Sequence, residues 1–142
     1  MHGGLSPKLN SLYDIRKIKR ATEAYGPMLE TDLLWSDPVP NTIGFKPNMT
    51  GAGNSFGVDV LQSTMNKLNI DLVVRAHQIV LDGYEFFGNK RLVTIFSAPH
   101  YCGQFNNSAV ILNVNEALFC SFTVLKSTPV DINVCANNYE KT

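Results

Sequence analysis

The sequence has no charge bias: across 142 residues, 12 Lys and Arg balance 12 Asp and Glu, for a formal net charge of +0. Proteins that bind nucleic acid by neutralising phosphates carry a basic excess, so the balance argues against a nucleic-acid partner. Long hydrophobic runs are also missing. No segment approaches the roughly 20 apolar residues of a membrane span, and no membrane partner is expected. Cysteine is scarce. Cys102, Cys120 and Cys135 are an odd number without metal-type spacing. That argues against a disulfide scaffold and fits a reducing compartment. Met1-His2-Gly3-Gly4 leads straight into a turn, so no secretory leader is expected. The triplets Asn48-Met49-Thr50 and Asn106-Asn107-Ser108 are accordingly read as unglycosylated. No internal repeat is present.

What remains is enough for a core. The hydrophobic fraction is 44%, too high for a disordered chain and sufficient for one domain at this length. Ser6 and Pro7 suit the start of a helix, and Leu9, Leu12, Ile15 and Ile18 recur along one face of it. Arg16, Lys17, Lys19 and Arg20 cluster where the helix dipole favours cations, and Gly26-Pro27 closes the region. Residues 29–56 read as a long irregular loop, rich in Pro and Gly but anchored by Trp35, Phe45 and Phe56. A helix is predicted over 57–68 from Leu61, Met65 and Leu68. Strands are predicted at 71–75, 84–87, 92–96, 108–114 and 118–125, with turns at Asp82-Gly83 and Gly88-Asn89. Residues 127–142 read as a loosely held polar tail behind a folded part spanning 1–126.

Chemistry-bearing residues are few. Each of the three histidines sits beside a turn signal. His77 follows the apolar run Leu72–Val74, and a histidine at the end of a buried strand is well placed to ligate a metal. Spacing alone favours a surface or hydrogen-bonded histidine over a ligand. Asp37 follows an apolar stretch in Leu33-Leu34-Trp35-Ser36-Asp37-Pro38, which also suits an Asx turn. Residues 97–107 join two strands and hold His100, Tyr101 and Cys102 together.

Taken in order, His2-Gly3-Gly4-Leu5-Ser6-Pro7, Leu33-Leu34-Trp35-Ser36-Asp37-Pro38, Arg75-Ala76-His77-Gln78, Asp82-Gly83-Tyr84-Glu85-Phe86-Phe87 and Ser97-Ala98-Pro99 resemble the metal-dependent serine/threonine protein phosphatases of the calcineurin-like phosphoesterase superfamily. Leu118-Phe119-Cys120-Ser121-Phe122 looks most like the type 1 branch. The resemblance covers nearly all of residues 2–126. It implies an α+β fold, the C-terminal half of a four-layer arrangement in which a β-sandwich is flanked by helices. The family's Gly-Asp-x-His-Gly, Gly-Asp-x-Val-Asp-Arg-Gly and Gly-Asn-His-Glu blocks have no counterpart in the sequence.

The implied activity is hydrolysis of phosphoserine and phosphothreonine in proteins by two divalent metal ions (Mn, Fe or Zn). By resemblance, His2 and His77 match two histidine ligands of one ion, and Asp37 and Tyr101 match catalytic-site positions. Thr50 stands where the family has a phosphate-binding arginine, which weakens the implied clamp. His100 replaces an asparagine, Gln104 a glutamate and Asn106 an aspartate; the two lost carboxylates lower local negative potential. Leu72, Phe86, Leu118, Cys120 and Phe122, with Asp71 beside them, match by the same resemblance a groove that docks short hydrophobic motifs of regulatory subunits, of the Arg-Val-x-Phe kind. Alternation alone reads the same five as core residues. The implied partners are phosphoprotein substrates and regulatory subunits, and the implied location is cytoplasm, nucleus or both. With the upstream metal and acid motifs missing, the chain is expected to be inactive alone. Two alternatives stand: a catalytically dead peptide-binding module, and a metallophosphoesterase acting on small phosphate esters.

Overall fold

Helix Val58–Leu68 organises the core because its apolar residues share one face. Val60, Leu61, Thr64 and Met65 are buried along it. Val60, Leu61 and Met65 pack with Leu5, Phe56, Val73 and Leu92, and Phe45, Ile70 and Phe87 close over the edge. The helix starts at Gly57, where a Cβ would lie 1.9 Å from the Thr42 carbonyl oxygen, so the close approach of that loop requires glycine. It ends at Asn69, whose left-handed conformation (φ 50°, ψ 56°) lets its N–H turn back to Met65 and Asn66. The predicted helix over 57–68 thus matches within one residue. The computed structural model describes residues 1–19, 26, 28–49 and 51–126. Arg20, Pro27, Thr50, Cys135 and the polar tail over 127–142 lie outside the described residues.

In chain order the described elements are α1 (Leu12–Arg16), α2 (Leu29–Trp35), β1 (Asp37–Pro38), β2 (Phe45–Pro47), β3 (Asn54–Phe56), α3 (Val58–Leu68), β4 (Val73–Arg75), β5 (Tyr84–Phe87), β6 (Leu92–Ile95), β7 (Ala109–Val114) and β8 (Cys120–Leu125). They form three small sheets, ordered β1-β3-β2, β4-β6-β5 and β7-β8. β6 is central: it pairs parallel with β4, Val73 opposite Leu92, and antiparallel with β5, Phe87 opposite Leu92. Its first three residues are all buried, as a strand covered on both faces requires. β7 and β8 form a hairpin with Leu112 opposite Phe122, largely exposed beyond Ala109 and Val110. The α+β class expected from the resemblance is the one observed. Among the described residues no helix is long and apolar enough to cross a membrane.

Two expectations need correction. The first helix does not start at Ser6. The Ser6 hydroxyl donates to buried Asp32 at 2.5 Å, and Leu5 and Leu9 go into the core, so this stretch serves tertiary packing instead. α1 begins after Ser11, whose N–H is held by the Asp14 carboxylate at 2.7 Å. Nor is 29–56 a structureless loop. It contains α2 and three short strands. α2 buries Thr31, Asp32 and Leu33, and its Asp32 receives the Asn54 amide at 2.8 Å from β3. Strands of two or three residues are too short to show alternation, so their pairing was invisible in the pattern.

Candidate active site

The site lies at the C-terminal end of β4, where three distant segments meet. Residues 1–3 run alongside this strand: the Met1 amino group donates to the Val74 carbonyl at 3.0 Å, and the Ala76 N–H donates to the His2 carbonyl at 3.0 Å. Gly3 then donates to the Leu33 carbonyl at 2.8 Å, which joins the same segment to α2. A Cβ on Gly3 would sit 2.4 Å from the backbone of Leu34 and Trp35, so only glycine allows this approach.

These contacts bring His2 against His77. His2 Nε2 and His77 Nδ1 are 3.2 Å apart. His77 stands just past β4 in a left-handed conformation (φ 67°), which aims its ring out of the strand. The Trp35 ring meets the His77 ring edge-on at 5.3 Å. Burial holds the His77 pKa below the ordinary histidine value; Arg75 and His2 add to the fall, and Asp37 opposes it. Zn–N bonds of about 2.0–2.1 Å place two nitrogens on one ion about 2.9–3.4 Å apart. The observed separation therefore fits two ligands of a single divalent cation. Among the described residues no group of three or more His, Cys, Asp or Glu is arranged to hold an ion, so the pair by itself is not a complete metal site.

Behind the histidines sits a buried ion pair. Arg75 ends β4 with its side chain fully buried, and its Nη2 donates to Asp37 Oδ1 at 2.7 Å. Its other donors reach the Gly3 carbonyl (2.8 Å), the Ser36 carbonyl (3.2 Å) and Gln78 Oε1 (2.8 Å). Burial lowers the Arg75 pKa, and Asp37 counters that shift. The second Asp37 oxygen accepts from the Asn48 amide at 2.9 Å. Both carboxylate oxygens are thus engaged, and Asp37 is 7% exposed.

Tyr101 approaches from the loop after β6. It begins a single turn, Tyr101–Gly103, and its ring packs edge-on against Phe96 at 5.1 Å. Asn107, 1% exposed, shapes this loop. It accepts from the Tyr101 N–H at 3.0 Å and donates to the Ala98 carbonyl at 2.8 Å. His2, His77 and Tyr101 line one open cleft of about 650 Å³, floored by Ala76, Ile95 and Phe96. His100 is turned to its own loop, its Nδ1 3.1 Å from the Phe105 carbonyl.

Of the sequence-predicted site residues, His2, His77 and Tyr101 share this cleft, Asp37 backs it through Arg75, and Thr50 lies outside the described residues. The docking candidates lie elsewhere. Phe86 and Phe122 meet at 6.0 Å across β5 and β8, with Tyr84 stacked on Phe122 at 4.2 Å. Cys120 is two residues before Phe122 and so on the same strand face. Leu118, 79% exposed, precedes it in the turn. Leu72 and Asp71 lead into β4, separated from β5 by β6. Phe86, Leu118 and Cys120 are exposed in this chain.

Sequence reasoning passed over Arg75 and Asn48 as site components. Arg75 did leave a signal: a cation closing the apolar run Leu72-Val73-Val74 must be paired if that strand is buried. Asn48 left none, because its role depends on the pairing of β2 with β3.

The sequence profile of the calcineurin-like phosphoesterases matches residues 1–81, which include His2, Asp37, Arg75 and His77. The chain is 50% identical over 129 residues to serine/threonine-protein phosphatase PP1-delta of Caenorhabditis elegans, covering 91% of this chain and 42% of that protein. Its fold superposes with a TM-score of 0.79 and 26% identity on a protein serine/threonine phosphatase from Saccharomyces cerevisiae with similarity to human phosphatase PP5. That match covers 90% of this chain and 44% of the other. The chain thus spans less than half the length of these relatives.

Proposed function

The chain belongs to the calcineurin-like phosphoesterase family, and from that premise we propose that it carries the C-terminal part of a serine/threonine protein phosphatase active site. The observation that supports this most directly is the His2–His77 pair, 3.2 Å between ring nitrogens, in one cleft with Tyr101. His2 Nε2 and His77 Nδ1 would hold one divalent ion, Mn, Fe or Zn, with further ligands supplied from outside residues 1–142. When bound, such ions neutralise phosphate charge and lower the pKa of an attacking water. The chain's own residues add positioning and one contact. Asp37 and Arg75 hold the histidine segments in place from behind. Tyr101 lines the cleft, and its hydroxyl would donate to a phosphate oxygen there. Phe96 and Ile95 give the cleft an apolar lining.

Phosphoserine and phosphothreonine proteins are the proposed substrates, acting in cytoplasm, nucleus or both. The described residues offer too few ligands for turnover, and the chain alone is inactive. The test is release of phosphate from a phosphoserine peptide with Mn²⁺ supplied. It compares residues 1–142 with a longer chain that adds the family's three upstream metal blocks. Hydrolysis by the longer chain only, lost in His77→Ala, is expected. Activity that survives His77→Ala refutes the role of the pair.

A second reading is favoured by a separate observation. Tyr84, Phe86 and Phe122 form an aromatic cluster on the edge of the fold, with exposed Leu118 and Cys120 beside it. We propose that this surface takes the apolar side chains of a short extended motif from a regulatory subunit. A chain without turnover could retain that binding.

A further inference from the structure

We propose that Arg75 is the positioning residue of the candidate site: one buried guanidinium fixes the segments bearing His2, Asp37 and His77 relative to one another. The inference rests on the reading of those residues as a phosphatase site, and extends it to a residue that touches neither metal nor substrate.

The geometry carries the argument. Arg75 bonds the carbonyl of Gly3, the residue after His2. It bonds the side chain of Gln78, the residue after His77. It bonds the carbonyl of Ser36 and the carboxylate of Asp37, the two residues after Trp35, whose ring packs on His77. These acceptors lie 72, 3, 39 and 38 positions away along the chain. A guanidinium is planar, and its donors leave in fixed directions. Four acceptors can be satisfied together only if the three segments keep one arrangement. The side chain is fully buried, so water cannot replace a bond that slips. Asp37 supplies the counter-charge and is itself held by Asn48 on its other oxygen, which anchors the clamp to β2 and its loop. An ammonium at this position offers a compact point charge and cannot span the same acceptors.

The test reads the histidine rings directly, without turnover. In the wild-type chain, NMR should show a cross-relaxation peak between the His2 and His77 rings and a ring-current shift on His77 from Trp35. Arg75→Lys keeps the charge, and should abolish the His2–His77 peak and at least halve the ring-current shift. Met65→Ala, in the core of α3, should lower the melting temperature and keep both signatures, which separates positioning from general stability. If Arg75→Lys does not fold, Gln78→Ala decides, because Gln78 is exposed and its loss removes one arm of the clamp. Its expected result is a reduced His77 shift with the fold intact. Retention of both signatures in folded Arg75→Lys, or in Gln78→Ala where that variant decides, overturns the proposal. So does their loss in Met65→Ala. A failed phosphatase assay with these signatures behaving as stated would refute the function and leave the clamp standing.

Discussion

Replacing Arg75 by methionine should be among the costliest single changes in this chain. Methionine fills much of the same stem volume, so the change isolates the polar head. Asp37 then stays buried, with 10% side-chain exposure, and loses the cation 2.7 Å away. Removing one partner of a buried pair costs about 3–5 kcal/mol, because an uncompensated charge remains. The Gly3 and Ser36 carbonyls also lose a donor, at about 1–3 kcal/mol for each that water cannot reach. These terms overlap, so about 4–6 kcal/mol is the working figure, comparable with the whole stability of a small domain. Asp37→Leu in the same background removes the stranded charge. The double variant should therefore be less destabilised than the sum of the singles by about 2–3 kcal/mol. Urea unfolding followed by Trp35 fluorescence measures this, with the midpoint read at constant slope. A cost below about 1 kcal/mol for Arg75→Met, the value of an exposed pair, would refute the reasoning. So would strict additivity of the two changes.

Four further outcomes are expected. His77 has a pKa held below the ordinary histidine value by burial, so the unfolded chain takes up a proton first as pH falls. The histidine contribution to stability is complete above about pH 6.5 and declines as pH falls through the lowered folded value. His77→Asn, which tolerates the left-handed conformation, should flatten that part of the melting-temperature profile, whereas an unchanged slope would assign it to other groups. Gly3→Ala should destabilise by roughly 1–3 kcal/mol, since the added methyl meets backbone at 2.4 Å; thermal melts check this, and a neutral result would mean the His2 segment can move away. Phe122→Ala should weaken binding of a labelled Arg-Val-x-Phe peptide at least 10-fold in fluorescence anisotropy, while Leu12→Ala on the exposed face of α1 leaves it unchanged. Dialysed residues 1–142 should retain less than one Mn²⁺ or Zn²⁺ per chain, and tight one-to-one retention lost in His77→Ala would show that the pair finds enough ligands by itself.

The legible parts of this fold were those with long or regular patterns. α3 showed its helical spacing through Leu61, Met65 and Leu68, and β5 and β6 stood between clear turn residues. The errors came where tertiary contacts overrode local signals. Ser6 has the chemistry of a helix cap, but its hydroxyl is taken by Asp32, a partner 26 positions away. α2 has only seven residues and depends on burial of Thr31, Asp32 and Leu33, which no local propensity reveals. The site divides in the same way. His2, Asp37, His77 and Tyr101 could be named because motif resemblance carries residue positions. Their arrangement could not be read, because it depends on Arg75 reaching across 72 positions to Gly3. Nothing in the sequence indicates that both Asp37 oxygens are occupied, by Arg75 on one side and Asn48 on the other.

The most direct measurement is phosphate release from a phosphoserine peptide in the presence of Mn²⁺. It compares residues 1–142 alone, the longer chain bearing the family's upstream metal blocks, and that longer chain with His77→Ala. Expected is metal-dependent hydrolysis by the longer chain, a loss of at least 100-fold in the His77 variant, and none by residues 1–142. Hydrolysis that survives His77→Ala, or a longer chain that binds its metals and releases no phosphate, would contradict the assignment of His2 and His77 to a phosphatase centre.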